Sequence, residues 1–437
     1  MIPYEQTIKY LYDLQPIGIK FGLHNTLCLL NYFHNPHEKI RTIHVAGTNG
    51  KGSTCSMIAS VLQAAGYRVG LYTSPHLVDF TERISINGLR IARLEVVRLT
   101  ERIQEAIAAG DFESGHPTFF EVVTVMALAY FQEQQVDFAI MEVGMGGRLD
   151  ATNVIEPLLG IITNIDLDHQ QYLGNSLLDI AREKAGIIKK GMPLVTGVQQ
   201  PEVMELLSDI CLERGAVLIP VPLSSSSLTR PLSQSLAGQS FEIVWPDEPS
   251  QQFSISLIGE HQIQNALVAL RAIQVLSRML PGGILLSQIT EGMSRARWPG
   301  RAESYPGVPP VMVDGAHNPA GARRLACLLK GLGFPRLILV LGIMKDKEIA
   351  GICQELVPLA SRVVLTRPSI ARASSPEEIL DIITSRCLVS DRESISITES
   401  IPEAITLART VAHPKDLICV TGSLFTVGEA KVFLDAR

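Results

Sequence analysis

Residues 47–54 read Gly-Thr-Asn-Gly-Lys-Gly-Ser-Thr, which places three glycines, one lysine and three hydroxyls in eight positions. Glycines let backbone N–H groups approach a phosphate, and a helix N-terminus adds donors and a favourable dipole. Lys51 would reach terminal phosphates, and Ser53 or Thr54 would offer a hydroxyl to Mg²⁺. The flanks suit this chemistry. Residues 42–45 are β-branched and apolar, as in a strand, and 55–65 read as a helix. The usual pattern has Ser or Thr directly after Gly-Lys, whereas Gly52 intervenes here. The plain alternative, a glycine-rich turn with a solvated lysine, has to ignore both flanks.

Other residues able to do chemistry sit at the ends of apolar runs. Glu142 closes the strand expected over 138–143, where a carboxylate is either a Mg²⁺ ligand or a partnered structural acid. Ser74 and His76 follow the strand expected at 68–72, and ligands bind at the carboxyl ends of strands in open α/β sheets. His169 follows the strand of 159–164 and fits either a metal ligand or a satisfied loop histidine. Lys184 lies among Ala, Gly and Ile. It can snorkel to solvent, but buried near Mg²⁺ it would need its charge removed or offset. Asp314 and His317 follow a strand at 311–313.

The elements that must position these groups alternate. Helices are expected at 3–14, 26–34, 55–65, 94–109, 116–134, 177–188, 201–214 and 262–279, with a hairpin around Asn87-Gly88 and a loop over 18–25. The Ser, Pro and Gln-rich stretch 221–252, with Ser224–Ser227 in a row, reads as a surface excursion between short strands at 241–245 and 253–257. Residues 291–303, with Arg295, Arg297 and Arg301, read as an interdomain linker whose arginines are either solvated or able to clamp a phosphate. From 311 the α/β rhythm restarts. The expected fold is α/β: an N-terminal P-loop-type ATPase domain with a mostly parallel sheet over 1–297, and a C-terminal Rossmann-like α/β domain over 298–437.

Composition limits the function. In 437 residues, 46% hydrophobic and 19% charged content describe an ordinary globular chain. The net charge of −6 argues against a general nucleic-acid-binding surface. Seven scattered cysteines without a C-x-x-C pair fit buried free thiols in a reducing compartment and no zinc site. The first residues show no basic stretch followed by an apolar one, so no signal peptide is expected, and no apolar run approaches the ~18 residues that span a bilayer. The expected location is the cytoplasm, with no membrane partner.

Six further motifs follow the phosphate loop in order: Tyr-Thr-Ser-Pro-His (72–76), Glu-Val-Gly-Met-Gly-Gly-Arg-Leu-Asp-Ala-Thr-Asn (142–153), Asp-His (168–169), Glu-Lys-Ala-Gly-Ile (183–187), His-Gln…Asn (261–265) and Val-Asp-Gly-Ala-His-Asn-Pro (313–319). Together with His44–Thr54 they resemble the folylpolyglutamate synthase/dihydrofolate synthase family of the Mur ligase superfamily, over essentially the whole chain. The resemblance implies an ATP-dependent amide ligase. A substrate carboxylate is phosphorylated to an acyl phosphate, which the amine of L-glutamate attacks.

Carried over by residue, the resemblance implies that Gly47, Thr48, Asn49, Gly50, Lys51, Gly52, Ser53 and Thr54 hold ATP. Ser74, Glu142 and His169 would ligate Mg²⁺, with Ser53 close by. Lys184 would be carbamylated and ligate a second Mg²⁺. Asn265, Arg301 and Asp314 would contact ATP, and His317 would sit near the incoming glutamate in an interdomain cleft. Thr118, Phe119, Phe120, Glu121, Leu149, Asp150 and Ala151 would line the pterin pocket. Lys51, Lys184 and His317 are the catalytic candidates. The substrates would be dihydropteroate or folates, and a monomer is the expected state. Closure hinged at 291–303 would exclude water. One departure stands out: relatives often have an acid and an arginine after Gly-Leu, and here Gly22-Leu23 precedes His24-Asn25. The rivals are another Mur-type ligase acting on a cell-wall precursor, disfavoured by the short stretch ahead of the loop, and a non-catalytic nucleotide-binding regulator.

Overall fold

Strands rich in β-branched and aliphatic residues with no polar alternation must be covered on both faces, which parallel sheets flanked by helices achieve. A computed structural model of the chain, described over residues 3–15, 22–110, 112, 115–223, 228–245, 249–388 and 391–436, has two such sheets. The Ser224–Ser227 run and most of the early loop at 18–21 lie outside the described residues.

The first sheet contains β1 (Thr42–Ala46), β2 (Val69–Tyr72), β3 (Ile84–Ile86), β4 (Leu89–Arg90), β5 (Phe138–Glu142), β6 (Leu159–Ile162), β7 (Pro193–Thr196) and β8 (Val217–Pro220). Their order is β4-β3-β2-β5-β1-β6-β7-β8. The pairs from β2 across to β8 are parallel, and the β2–β3 and β3–β4 pairs are antiparallel. After β1 the chain first builds to one side, then returns through β5 and builds to the other side from β6. The crevice at the carboxyl end of β1 is therefore a topological switch point, where α/β sheets bind ligands.

A three-stranded sheet follows: β9 (Thr229–Ser235), β10 (Gly238–Ile243) and β11 (Gln251–Ile255). The last sheet has β12 (Glu303–Tyr305), β13 (Val311–Asp314), β14 (Leu337–Leu341), β15 (Arg362–Leu365), β16 (Ile395–Ile397) and β17 (Leu417–Thr421) in the order β12-β13-β17-β14-β15-β16. All its pairs are parallel except β12–β13.

Two compact units result. One comprises Met1–Thr229, Val244–Glu248 and Gln264–Ala296. The other comprises Arg230–Ile243, Pro249–Ile263 and Arg297–Arg437. The first unit buries one apolar cluster around Tyr72, Phe131 and Met126, and another around Ile162, Ile180 and Leu194. The second unit packs Leu339, Ile352, Leu356 and Cys419 together. No helix among the described residues is long and apolar enough to cross a membrane.

Two elements depart from the sequence reading. The phosphate-loop helix spans Lys51–Ala64, so Gly52, Ser53 and Thr54 are already helical and Gly50, at φ 83°, is its N-cap. Gly-Ser-Thr is a weak helix former, and tertiary packing overrides that preference. The presumed linker at 291–303 begins as the end of a helix, Leu286–Arg295. That helix lies so close to the phosphate-loop helix that a Cβ on Gly292 would sit 2.4 Å from Val61 Cα. Ser60 Oγ donates to Gly292 O at 2.6 Å, and Arg295 pairs with Glu291 at 2.7 Å. Gly292 and the β-branched Ile289 and Thr290 hide this helix in the sequence, although the glycine is what permits the close approach.

Candidate active site

The loop after β1 is tied to the loop after β6. Thr48 N donates to Asn164 O at 3.1 Å, Asn49 N to Asn164 Oδ1 at 2.9 Å, and Thr163 Oγ1 to Asn49 O at 2.7 Å. Thr48 Oγ1 donates to Asp166 O and accepts from Asp166 N. Thr163, Asn164 and Asp166 were not legible as site residues, because their partners lie more than a hundred positions away. A Cβ on Gly47, at φ 146°, would sit 1.8 Å from Thr163 Oγ1, so only glycine fits. A Cβ on Gly50 would meet Asn265 Oδ1 at 2.2 Å, which places the Asn265 amide against the loop.

Two ammonium groups meet at one carbonyl. Lys51 Nζ donates to Gly47 O at 3.0 Å and to Thr48 O at 3.4 Å, and Lys184 Nζ donates to the same Gly47 O at 3.1 Å. Lys184 is 4% exposed and does not snorkel. Burial, and next the charge of Lys51, bring its pKa down to about 7, against the opposing pull of Asp168 and Asp150. Lys51 and Lys184 line a pocket together with Gly47, Gly144, Asp168 and His169. Glu142, 4% exposed, accepts from Ser74 N at 3.1 Å, so two expected Mg²⁺ ligands are neighbours. His169 sits at φ 51° beside Asp168, 4.0 Å away. Ser53 is nearly buried in the first helical turn, whereas Thr54 is wholly buried with an unpartnered hydroxyl.

No group of three or more His, Cys, Asp or Glu among the described residues is placed to hold a metal. The donors present, a carboxylate, serine hydroxyls and one imidazole beside a phosphate loop, suit Mg²⁺, which keeps waters and shares phosphate oxygens rather than occupying an all-protein cage.

The expected pterin residues have structural duties as well. Thr118 and Glu121 form a capping box: Thr118 N donates to Glu121 Oε2 at 2.6 Å, and Glu121 N to Thr118 Oγ1 at 3.3 Å. Thr118→Ala is expected to lower stability by about 1 kcal/mol, read as an earlier urea midpoint for the first unit. Phe120 packs on Gly144, where a Cβ would lie 2.4 Å from its ring, and faces Tyr72 with centroids 6.0 Å apart. Phe119 and Ala151 are buried, and Leu149 is half-buried.

Asp150 accepts at Oδ1 from Thr152 N and Thr152 Oγ1, at 3.0 and 2.5 Å, and at Oδ2 from Met145 N at 2.9 Å. Its carboxylate thus shapes the 144–152 loop, and burial raises its pKa. Thr152 in turn contacts His44 Nε2 at 2.8 Å. His44, on β1, is wholly buried with Nδ1 unpartnered, and burial lowers its pKa to about 3. The unfolded chain gains a proton near pH 6.5 that the folded chain refuses. Stability is therefore complete above pH 6.5 and is lost as pH falls toward 3. The urea midpoint is expected to fall between pH 7 and 5, and His44→Gln to flatten that slope.

In the second unit, Arg301, Asp314 and His317 gather around Gly315. Arg301 Nη1 donates to Gly315 O at 3.4 Å, and His317 Nδ1 lies 2.8 Å from the same oxygen. Asp314 accepts from Ala302 N and Ala316 N, both at 2.9 Å. Its pKa is raised by burial and partly offset by Arg301.

Known proteins share this plan. The Mur ligase middle domain matches residues 45–273, and the glutamate ligase domain of Mur ligases matches 300–424. A Bacillus subtilis dihydrofolate synthase/folylpolyglutamate synthase is 36% identical over 432 residues, 98% of either chain. A Mycobacterium tuberculosis folylpolyglutamate synthase, solved in complex with ADP and AMPPCP, superposes with a TM-score of 0.86 at 32% identity over 99% of both chains. An Escherichia coli structure in complex with DHPP and ADP gives 0.83 at 30% identity, over 99% of this chain and 98% of that one. By sequence, architecture and the order of its strand-end residues, the chain belongs to the dihydrofolate synthase/folylpolyglutamate synthase family of the Mur ligase superfamily.

Proposed function

We propose that this protein is an ATP-dependent carboxylate–amine ligase that joins L-glutamate to dihydropteroate, to folates or to both. The observation that carries this reading is the convergence of Lys51 and Lys184 on Gly47 O, beside Glu142, Ser74 and His169. A carboxylate is a poor electrophile, and two anions must approach each other before it can be activated. One carboxylate oxygen bonds to the γ-phosphorus, and the bond to the β-phosphate oxygen breaks, leaving ADP. The neutral glutamate amine then bonds to the acyl carbon, the carbon–oxygen bond to phosphate breaks, and the departing phosphate carries off the proton the nitrogen gives up. Cations at the phosphate loop stabilise both steps.

Gly47–Ser53 and Asn265 hold the nucleotide in this reading, and Ser74, Glu142 and His169 would hold Mg²⁺, which would supply positive charge against the phosphates. Lys184, with a pKa near 7, offers a neutral amine that adds to CO₂ and releases a proton, giving an anionic carbamate. This turns a buried cation beside Lys51 into its counter-charge. Arg301, Asp314 and His317 are assigned to ATP and glutamate, and Thr118–Glu121 with Leu149–Ala151 to the pterin. The deciding assay incubates the protein with ATP, Mg²⁺ and glutamate and offers dihydropteroate and tetrahydrofolate separately. Each accepted substrate gains a glutamyl residue by mass. No gain with either would refute the proposal.

A further inference from the structure

Arg83 is a buried cation that the phosphate-loop chemistry does not use. It ends the short turn Phe80–Arg83, whose N-cap Asp79 and third residue Glu82 form a capping box, and its carbonyl accepts from Thr73 N at 3.0 Å. The backbone is thereby fixed on both sides. The residue is only 6% exposed.

Burying a guanidinium costs several kcal/mol unless an anion meets it. No carboxylate forms an ion pair with it among the described residues, and only the more distant charges of Glu142 and Glu82 reach it. Arg83 makes one hydrogen bond there, Nε to His76 Nδ1 at 2.8 Å, and its guanidinium lies 5.1 Å from the centroid of Phe119. Nearby carboxylates are engaged elsewhere. Asp79 accepts from Thr81 and pairs with Arg93, Glu82 accepts from three backbone amides, and Glu142 accepts from Ser74 N. Because Arg83 donates to Nδ1, the imidazole proton sits on Nε2 and points to Tyr12 Oη, 3.2 Å away. His76 is thus an aiming device and offers no counter-charge. The terminal N–H fork that remains is the geometry that receives a carboxylate with two parallel bonds. Its surroundings are aromatic: Phe119 lies 5.9 Å from Tyr12 and 6.3 Å from Phe80 between centroids.

We infer that Arg83, aimed by His76 and walled by Phe119 and Tyr12, is the subsite that receives the acceptor's aryl carboxylate before it is activated. The inference rests on the ligase reading above and names where that substrate's reacting end is held. One oxygen stays on the Arg83 fork while the other is presented to the γ-phosphoryl group. Arg83 lies close enough to Glu142 for the two charges to interact, which sets this subsite beside the expected metal.

The test needs no turnover. Pteroate and its carboxamide are titrated onto the full-length protein by fluorescence, with AMPPCP binding as a check of fold. The wild type is expected to prefer the acid by roughly 10–100-fold. Arg83→Gln should bring the ratio near one while leaving carboxamide and AMPPCP affinities unchanged, and Arg83→Lys should retain part of the preference. Equal binding of acid and carboxamide by the wild type overturns the inference without any variant. So does an Arg83→Gln protein that melts earlier yet still discriminates, which would mark the arginine as structural. Failure of the ligase reading looks different: neither pteroate compound binds, and no glutamylated product forms.

Discussion

Lys184→Met is expected to lower glutamate-dependent ATP turnover by roughly three orders of magnitude, about 4 kcal/mol of transition-state stabilisation, while leaving the melting temperature unchanged or higher. The two readouts move apart for a physical reason. Lys184 is buried, donates to Gly47 O and sits against Lys51, so at neutral pH its ammonium is held at a cost. An apolar side chain of similar length removes that cost, and such replacements are commonly neutral or stabilising. Activity falls because the amine that would carry a carbamate is gone. Protein prepared free of CO₂ should start slowly and recover on addition of bicarbonate, a lag that Lys184→Met cannot show. A variant with full turnover, or a wild type indifferent to CO₂, would remove the carbamate from the mechanism.

Lys51→Ala is the second large effect, again about a thousandfold in kcat/KM. With Nζ on the carbonyls of Gly47 and Thr48, Lys51 is held over the turn proposed to cradle the phosphates. Its removal takes away the charge that lets a carboxylate approach a triphosphate. It also relieves Lys184 of a neighbouring cation, so the pKa of Lys184 should rise and its carbamate should form less readily at pH 7. The double variant Lys51→Ala, Lys184→Met should therefore lose less than the product of the single losses. Full glutamate-dependent ADP release by Lys51→Ala would sink the ligase mechanism.

Much of this site was written locally. Three glycines around Lys51, an acid at the end of β5 and the Asp-Gly-Ala-His run after β13 carry their chemistry in residue type and in the apolar strands that precede them. Alternating strands and helices likewise follow from short-range pattern, which is why β5, β6 and the helices Pro201–Glu213 and Glu260–Met279 fall where the sequence places them. Elements without pattern did not show themselves. The exposed edge strand β8 was missed, as was the closing helix Leu424–Asp435, whose central Gly428 and β-branched Val427 and Val432 argue locally against a helix.

By itself, then, the sequence determined that a phosphate loop, a strand-end carboxylate and a lysine among apolar residues exist in one α/β chain. Tertiary structure decided how they act together. Strand order puts β1 between β5 and β6, so Glu142, Lys51 and the 163–169 loop open on one crevice. Packing of the Leu177–Ala185 helix brings Lys184 to the carbonyl that Lys51 already holds. Elsewhere in the unit the fold buries Arg83 with no ion pair among the described residues. Residue type records what a side chain can do. Its partners, its burial and hence its charge come from contacts between segments far apart in the chain, and no local pattern encodes those.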